Sequence, residues 1–92
     1  MIARRLVIAG RVQGVGFRES LVAVARREHL AGWVRNARDG TVEALLQGDE
    51  AAVERVIAWC RHGPPAAQVT GVDTKTIDCE AGLSGFSRRA TV

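Results

Sequence analysis

Along this chain the hydrophobic period alternates between that of a strand and that of a helix, and the order of alternation leaves few folds open. Arg4–Gly10 (RRLVIAG) is short, apolar and β-branched, the pattern of a buried strand. Phe17, Leu21, Val24 and Ala25 then fall at helical spacing and predict a helix from Arg18 to His29. GWVRNA (32–37) and TVEALLQ (41–47) read as strands joined by the turn RDG, a hairpin. Val53, Val56, Ile57 and Cys60 follow i, i+3, i+4, i+7, the clearest amphipathic stripe in the chain. Asp49 caps the start of that helix, and HGPP (62–65) ends it. AQVTGVDTKTI (67–77) is a further strand, CEAGLSG (79–85) a loop, and FSRRATV (86–92) a short terminal strand.

The order β-α-β-β-α-β, with a fifth strand, is the split-βαβ arrangement. It predicts an α+β ferredoxin-like sandwich, βαββαβ(β), with a mainly antiparallel sheet and two helices on one face. At 92 residues the chain is read as one domain, residues 1–92. The topology makes the first and second strands parallel. The segment after Gly10 and the end of GWVRN therefore share one rim of the sheet.

That shared rim carries the chemistry. GRVQGVGFRES (10–20) places Gly10, Gly14 and Gly16 between a strand and a helix start. Such a loop can turn several N–H groups inward as an anion nest, and the helix start adds its positive dipole end. Arg18 would supply a guanidinium fork that fits two oxygens of a phosphate. The same residues would also serve a plain tight turn with a surface charge, and their spacing alone leaves both readings open. Asn36 shares a face with Val34 by period two and leans toward the helix-covered side of that rim. Its carboxamide suits either holding a water beside an anion or capping the turn into RDG. Trp33 alternates to the other face, as packing or as a stacking platform.

Other chemistries find little support. There is no GK[ST] ending for a nucleotide P-loop and no GxGxxG. No Ser-His-Asp set, nucleophilic cysteine or carboxylate pair presents itself; Glu19 and Asp39 are isolated and read as solvated. Cys60 and Cys79 make neither a disulfide framework nor a zinc site, although a single bridge between them stays open. Cys60 lies on the apolar stripe and is expected to be a buried thiol. His29 and His62 fall near helix ends, where a cation meets the negative end of the dipole. No metal and no cofactor are expected. The net charge of +3 favours anions without naming nucleic acid. Twelve of the 13 basic residues are Arg, the better fork for phosphate. No apolar run approaches the roughly 18 residues that span a bilayer. Leu6–Ala9 is too short for a secretory core, so a cytoplasmic location is expected and no membrane partner.

IAGRVQGVGFR (8–18) and GWVRNARDGTVEALLQG (32–48) closely resemble the two signature motifs of the acylphosphatase family. QGD, GPP and the terminal GF follow in that family's order, so the likeness covers essentially the whole chain. The resemblance implies metal-independent hydrolysis of the carboxyl–phosphate bond of small acyl phosphates, giving a carboxylate and inorganic phosphate. Phosphate would be both product and competitive inhibitor. It also implies that Arg18 binds the phosphoryl group and Asn36 orients the attacking water. The cradle of backbone amides falls on Gly14, Val15, Gly16, Phe17 and Arg18. Ala37 replaces a hydroxyl residue frequent in the family, which leaves Thr41 as a further candidate to position the water. Arg88 stands where the family's last strand is usually apolar, which puts that strand's register in question. Gly16 stands where a larger residue can occur.

Two other classes compete. One is a non-catalytic phosphate or carbamoyl-phosphate binding module, as in the N-terminal part of carbamoyltransferase-type hydrogenase maturation factors. The other is an RNA-recognition module, for which two Trp, two Phe and no Tyr are few stacking platforms. The expected partner is therefore a small acyl phosphate rather than nucleic acid, and the expected state is a monomer.

Overall fold

A computed structural model describes residues 1–92. The elements run β1 (Ile2–Arg11), α1 (Phe17–Arg27), β2 (Ala31–Asn36), β3 (Val42–Gly48), α2 (Glu50–Cys60), β4 (Gln68–Ile77) and β5 (Phe86–Arg88). The sheet order is β4-β1-β3-β2-β5. β3 is antiparallel to both β1 and β2, so β1 and β2 run the same way with β3 between them. This is the ferredoxin-like topology that the alternating periods predict.

Period two sorts the sheet into two faces. Leu6, Ile8, Val34, Val42, Ala44 and Leu46 meet Phe17, Leu21 and Ala25 of α1 and Val53, Val56, Ile57 and Cys60 of α2 in one buried cluster. Trp33 lies on the opposite face. The guanidinium groups of Arg35, Arg89 and Arg5 lie 4.5, 5.0 and 5.8 Å from its ring centroid. Those cations cover the indole to 6% exposure, which makes it a packed residue.

The helix ends differ in a way that matters for the site. Asp49 accepts a hydrogen bond from the Ala52 amide at 3.2 Å and so caps α2. The N-cap of α1 is Gly16, and no side chain caps that helix. At the end of α2, Gly63 adopts φ +70° and donates its N–H to the Trp59 carbonyl at 2.8 Å. A Cβ there would collide with the Phe17 ring. Phe17 in turn packs on Trp59, with centroids 5.4 Å apart. The first residue of α1 is thereby anchored in the core beside the end of α2.

The ends of two strands depart from expectation. β1 is longer than Arg4–Gly10 because its outer residues still find partners on β3 and β4. β5 is shorter than residues 86–92. It pairs in parallel with β2 in a regular register, Gly32 with Phe86 and Val34 with Arg88. Arg89 then donates to the Val34 carbonyl, but Val92 rather than Thr91 reaches the Asn36 carbonyl. One extra residue bulges the ladder and ends the strand.

Both cysteines are free, so the bridge left open by the sequence is not formed. Burial pushes the Cys60 thiol up to about 12. Cys79 is exposed. Ellman's reagent at pH 8 is expected to titrate one thiol per native chain and both after unfolding in guanidinium. Fast reaction of both thiols in the native protein would contradict the packing of α2 on the sheet.

Candidate active site

Because β1 and β2 are parallel, the loop that leaves β1 and the last residue of β2 meet at one rim. A hollow of about 190 Å³ opens there. It is lined by Val12, Gly14, Gly16, Phe17, Arg18, Glu19, Asn36 and Arg88. Gly14 and Gly16 take φ of +73° and +80°. A Cβ at either would meet nothing within 4 Å. Backbone angle, not space, is therefore what requires glycine at both positions.

These angles turn the loop amides away from the rest of the chain. The first bond of α1 runs from the Ser20 amide to the Gly16 carbonyl. The N–H groups of Gly14, Val15, Gly16, Phe17 and Arg18 find no acceptor in the protein, on main chain or side chain. Such a run of free donors at a helix start is the kind of feature that can receive an anion. Arg18 is half-buried and belongs to none of the ion pairs. Its guanidinium donors are free as well.

Gln13 ties this loop to the β2–β3 turn. Its Nε2 donates to the carbonyls of Ala37 and Thr41 at 2.7 and 2.9 Å. The clamp fixes the amide run relative to Asn36, which lies one residue before Ala37. Sequence reading passed over Gln13, because one long-range amide contact leaves no local pattern.

Asn36 is 9% exposed, and its Oδ1 has no hydrogen-bond partner. The turn does not use it. Asp39 Oδ1 accepts from the Thr41 hydroxyl at 2.7 Å and from the Thr41 amide at 3.0 Å. Gly40 N–H donates to the Ala37 carbonyl at 3.1 Å. With the turn closed by its own residues, the Asn36 carboxamide is left to line the hollow, its buried carbonyl oxygen without a partner. A buried polar atom in that condition is costly unless a ligand or water completes it.

Thr41 is not brought in. It lies outside the hollow, and Asp39 holds its hydroxyl. That hydroxyl is the main reason the Asp39 carboxyl sits below the usual carboxylate range, with the Thr41 amide adding to it. Glu19 does line the hollow, and it pairs with Arg88 at 3.2 Å. Arg88 is a site residue that the sequence reading set aside as a register anomaly. No three His, Cys, Asp or Glu side chains cluster as metal ligands.

A larger cleft of about 650 Å³ lies at the other end of α1, between Arg26, His29 and the segment Ser84–Ser87. There Arg26 donates its Nε to the Phe86 carbonyl at 3.0 Å.

A split-βαβ sandwich with a main-chain anion cradle, a free guanidinium and a buried carboxamide at one rim defines a phosphate-handling domain. The comparisons with known proteins make that class particular. The acylphosphatase family profile matches residues 4–88. An acylphosphatase from Acidiphilium cryptum (strain JF-5) is 54% identical over 91 residues, covering 99% of each chain. The crystal structure of acylphosphatase from Bacillus subtilis superposes with a TM-score of 0.93 at 37% identity, covering 97% of this chain and 99% of that one. Full-length HypF in its phosphate- and nucleotide-bound form also matches, with a TM-score of 0.88 at 26% identity; 98% of this chain covers 12% of that one. The chain belongs to the acylphosphatase family. At this level of identity over the full length, the activity is hydrolysis of acyl phosphates.

Proposed function

We propose that this hollow is the active site, and that it hydrolyses small acyl phosphates by positioning and electrostatics alone. The phosphoryl oxygens lie among the amides of Gly14, Val15, Gly16, Phe17 and Arg18, with the Arg18 guanidinium across two of them. The Asn36 carboxamide holds a water in line with the carboxylate leaving group. The water oxygen attacks phosphorus, and the phosphorus–oxygen bond to the acyl group breaks. The departing carboxylate takes that bond's electron pair. The water's proton passes to a non-bridging oxygen of the substrate's own phosphate. A carboxylate leaves readily, so binding and charge stabilisation can supply the acceleration.

The observation that carries this reading is that one hollow is lined by residues with free amides, a free guanidinium and the carboxamide of Asn36, whose buried oxygen has no partner. Each is costly or idle in the isolated chain, and one tetrahedral oxyanion with one water completes all three. The reading takes residues 1–92 as a single domain, supported by a single buried cluster that joins both helices to the sheet. It takes the enzyme as a cytoplasmic monomer that uses no metal or cofactor. The phosphate-binding module known from larger proteins is the weaker reading, because the HypF match has 26% identity against 54% for the stand-alone acylphosphatase.

Phosphate release from benzoyl phosphate in EDTA tests the proposal. Turnover is expected to persist in the chelator and to be inhibited competitively by inorganic phosphate. A protein that binds phosphate but releases none from benzoyl phosphate would shift the reading to the binding module.

A further inference from the structure

The hollow has a second guanidinium, and the reaction above leaves it without a role. Val34 pairs with Arg88, and Phe86, two residues earlier, is buried in the core. By period two, Arg88 therefore extends the helix-covered face of the sheet. That face runs out at the rim, so the side chain enters the hollow instead of the core. Across the opening it meets Glu19 in the first turn of α1, with Arg88 Nη1 3.2 Å from Glu19 Oε1.

This contact is weakly held. It is a single contact rather than a two-pronged one, and the two side chains are 50% and 79% exposed. Exposed pairs of this kind contribute little and exchange readily with other charges. Releasing Glu19 costs little as well, because a carboxylate in the first turn of a helix is favoured by the dipole.

The direction of the reaction decides what Arg88 can touch. The attacking water sits on Asn36, at the buried end of the hollow. In-line displacement sends the acyl group the opposite way, toward the open end where Arg88 and Glu19 stand. A free guanidinium at that end attracts a negative charge on the acyl group, while Glu19 repels one unless Arg88 neutralises it. We infer that Arg88 is a specificity-determining residue, one that favours acyl phosphates whose acyl group carries a second anionic group such as a carboxylate. The inference rests on the proposed function of the same hollow.

Succinyl phosphate and butyryl phosphate form a matched pair of probes, alike in chain length and differing in a terminal carboxylate against a methyl. The quantity to read is the ratio of their kcat/KM values. Wild type is expected to favour succinyl phosphate, and the ratio should fall as ionic strength rises. Arg88→Val should lower the ratio about threefold, the factor that an exposed charge pair supplies, and should flatten its salt dependence. Glu19→Gln should raise the ratio a few-fold by freeing Arg88, and this second variant keeps the test open should Arg88→Val fold poorly. An unchanged ratio in both variants overturns the inference, whether or not the individual rates fall. Turnover of butyryl phosphate by wild type with an unmoved ratio would leave the active-site reading standing and remove Arg88 alone. Turnover of neither probe removes both.

Discussion

Arg18→Ala is expected to lower kcat/KM for benzoyl phosphate by at least about a hundredfold, in the range found for removing one preorganised donor to a developing oxyanion. On the proposed reading loss should show in both parameters, because the guanidinium would face the phosphoryl oxygens in the bound substrate and in the transition state alike. Inorganic phosphate should inhibit the variant much more weakly. Arg18→Lys should rescue little: an ammonium carries the charge but not the planar fork. Stability should behave in the opposite sense. Arg18 belongs to no ion pair and sits in the first turn of α1, where a cation opposes the helix dipole. Its removal is expected to leave the protein as stable or more stable by up to about 0.5 kcal/mol. A residue that weakens the fold slightly while serving the site is the kind of compromise active sites contain. Arg18→Ala protein with activity within tenfold of wild type, or with a clearly lowered melting temperature, would show that the guanidinium serves structure instead.

The parts of this molecule that were readable in advance are those governed by local period. The stripe Val53, Val56, Ile57 and Cys60 is a helix face because those side chains share one side of a 3.6-residue spiral, and all four are buried. Alternation along GWVRN separated Trp33 from Val34 and Asn36, and the two faces bear that out. The loop glycines were readable because positive φ leaves a composition signal. What escaped depends on where distant segments meet. Gln13 reaches the Ala37 and Thr41 carbonyls across the rim, a contact that no window of sequence contains. Arg88 owes its place to the pairing of β5 with β2 across a parallel edge, which is set by the segment before it rather than by its own pattern. Thr41 finds its partner for a local reason. An Asp two residues before a Thr competes for its hydroxyl, and inside a tight turn the short-range partner wins.

Asn36→Ala separates water positioning from phosphate binding. On the proposed reading its effect falls on kcat, down by about a hundredfold or more, with KM and phosphate inhibition within about threefold of wild type. The asymmetry with Arg18 follows from charge. Asn36 lines the hollow with a neutral carboxamide, which can hold a water but adds no cation to bind the phosphoryl group. Asn36→Asp sharpens the comparison. It keeps an acceptor of the same shape, so the water can still be held, yet it brings a carboxylate up to the substrate's own charge. That variant should lose affinity for phosphate as well as rate, and should recover part of the affinity as pH falls and the carboxyl protonates. Stability offers an independent check. The Asn36 side chain gives its oxygen no partner in the protein, so removing it discards an unsatisfied polar atom and leaves a small cavity in exchange. These costs oppose one another at about 1 kcal/mol each, and the net change should be small. If Asn36→Ala instead weakened phosphate inhibition as much as Arg18→Ala, both side chains would be contacting the anion. The water would then need another holder, and with the Thr41 hydroxyl given to Asp39 the remaining side-chain acceptor lining the hollow is Glu19.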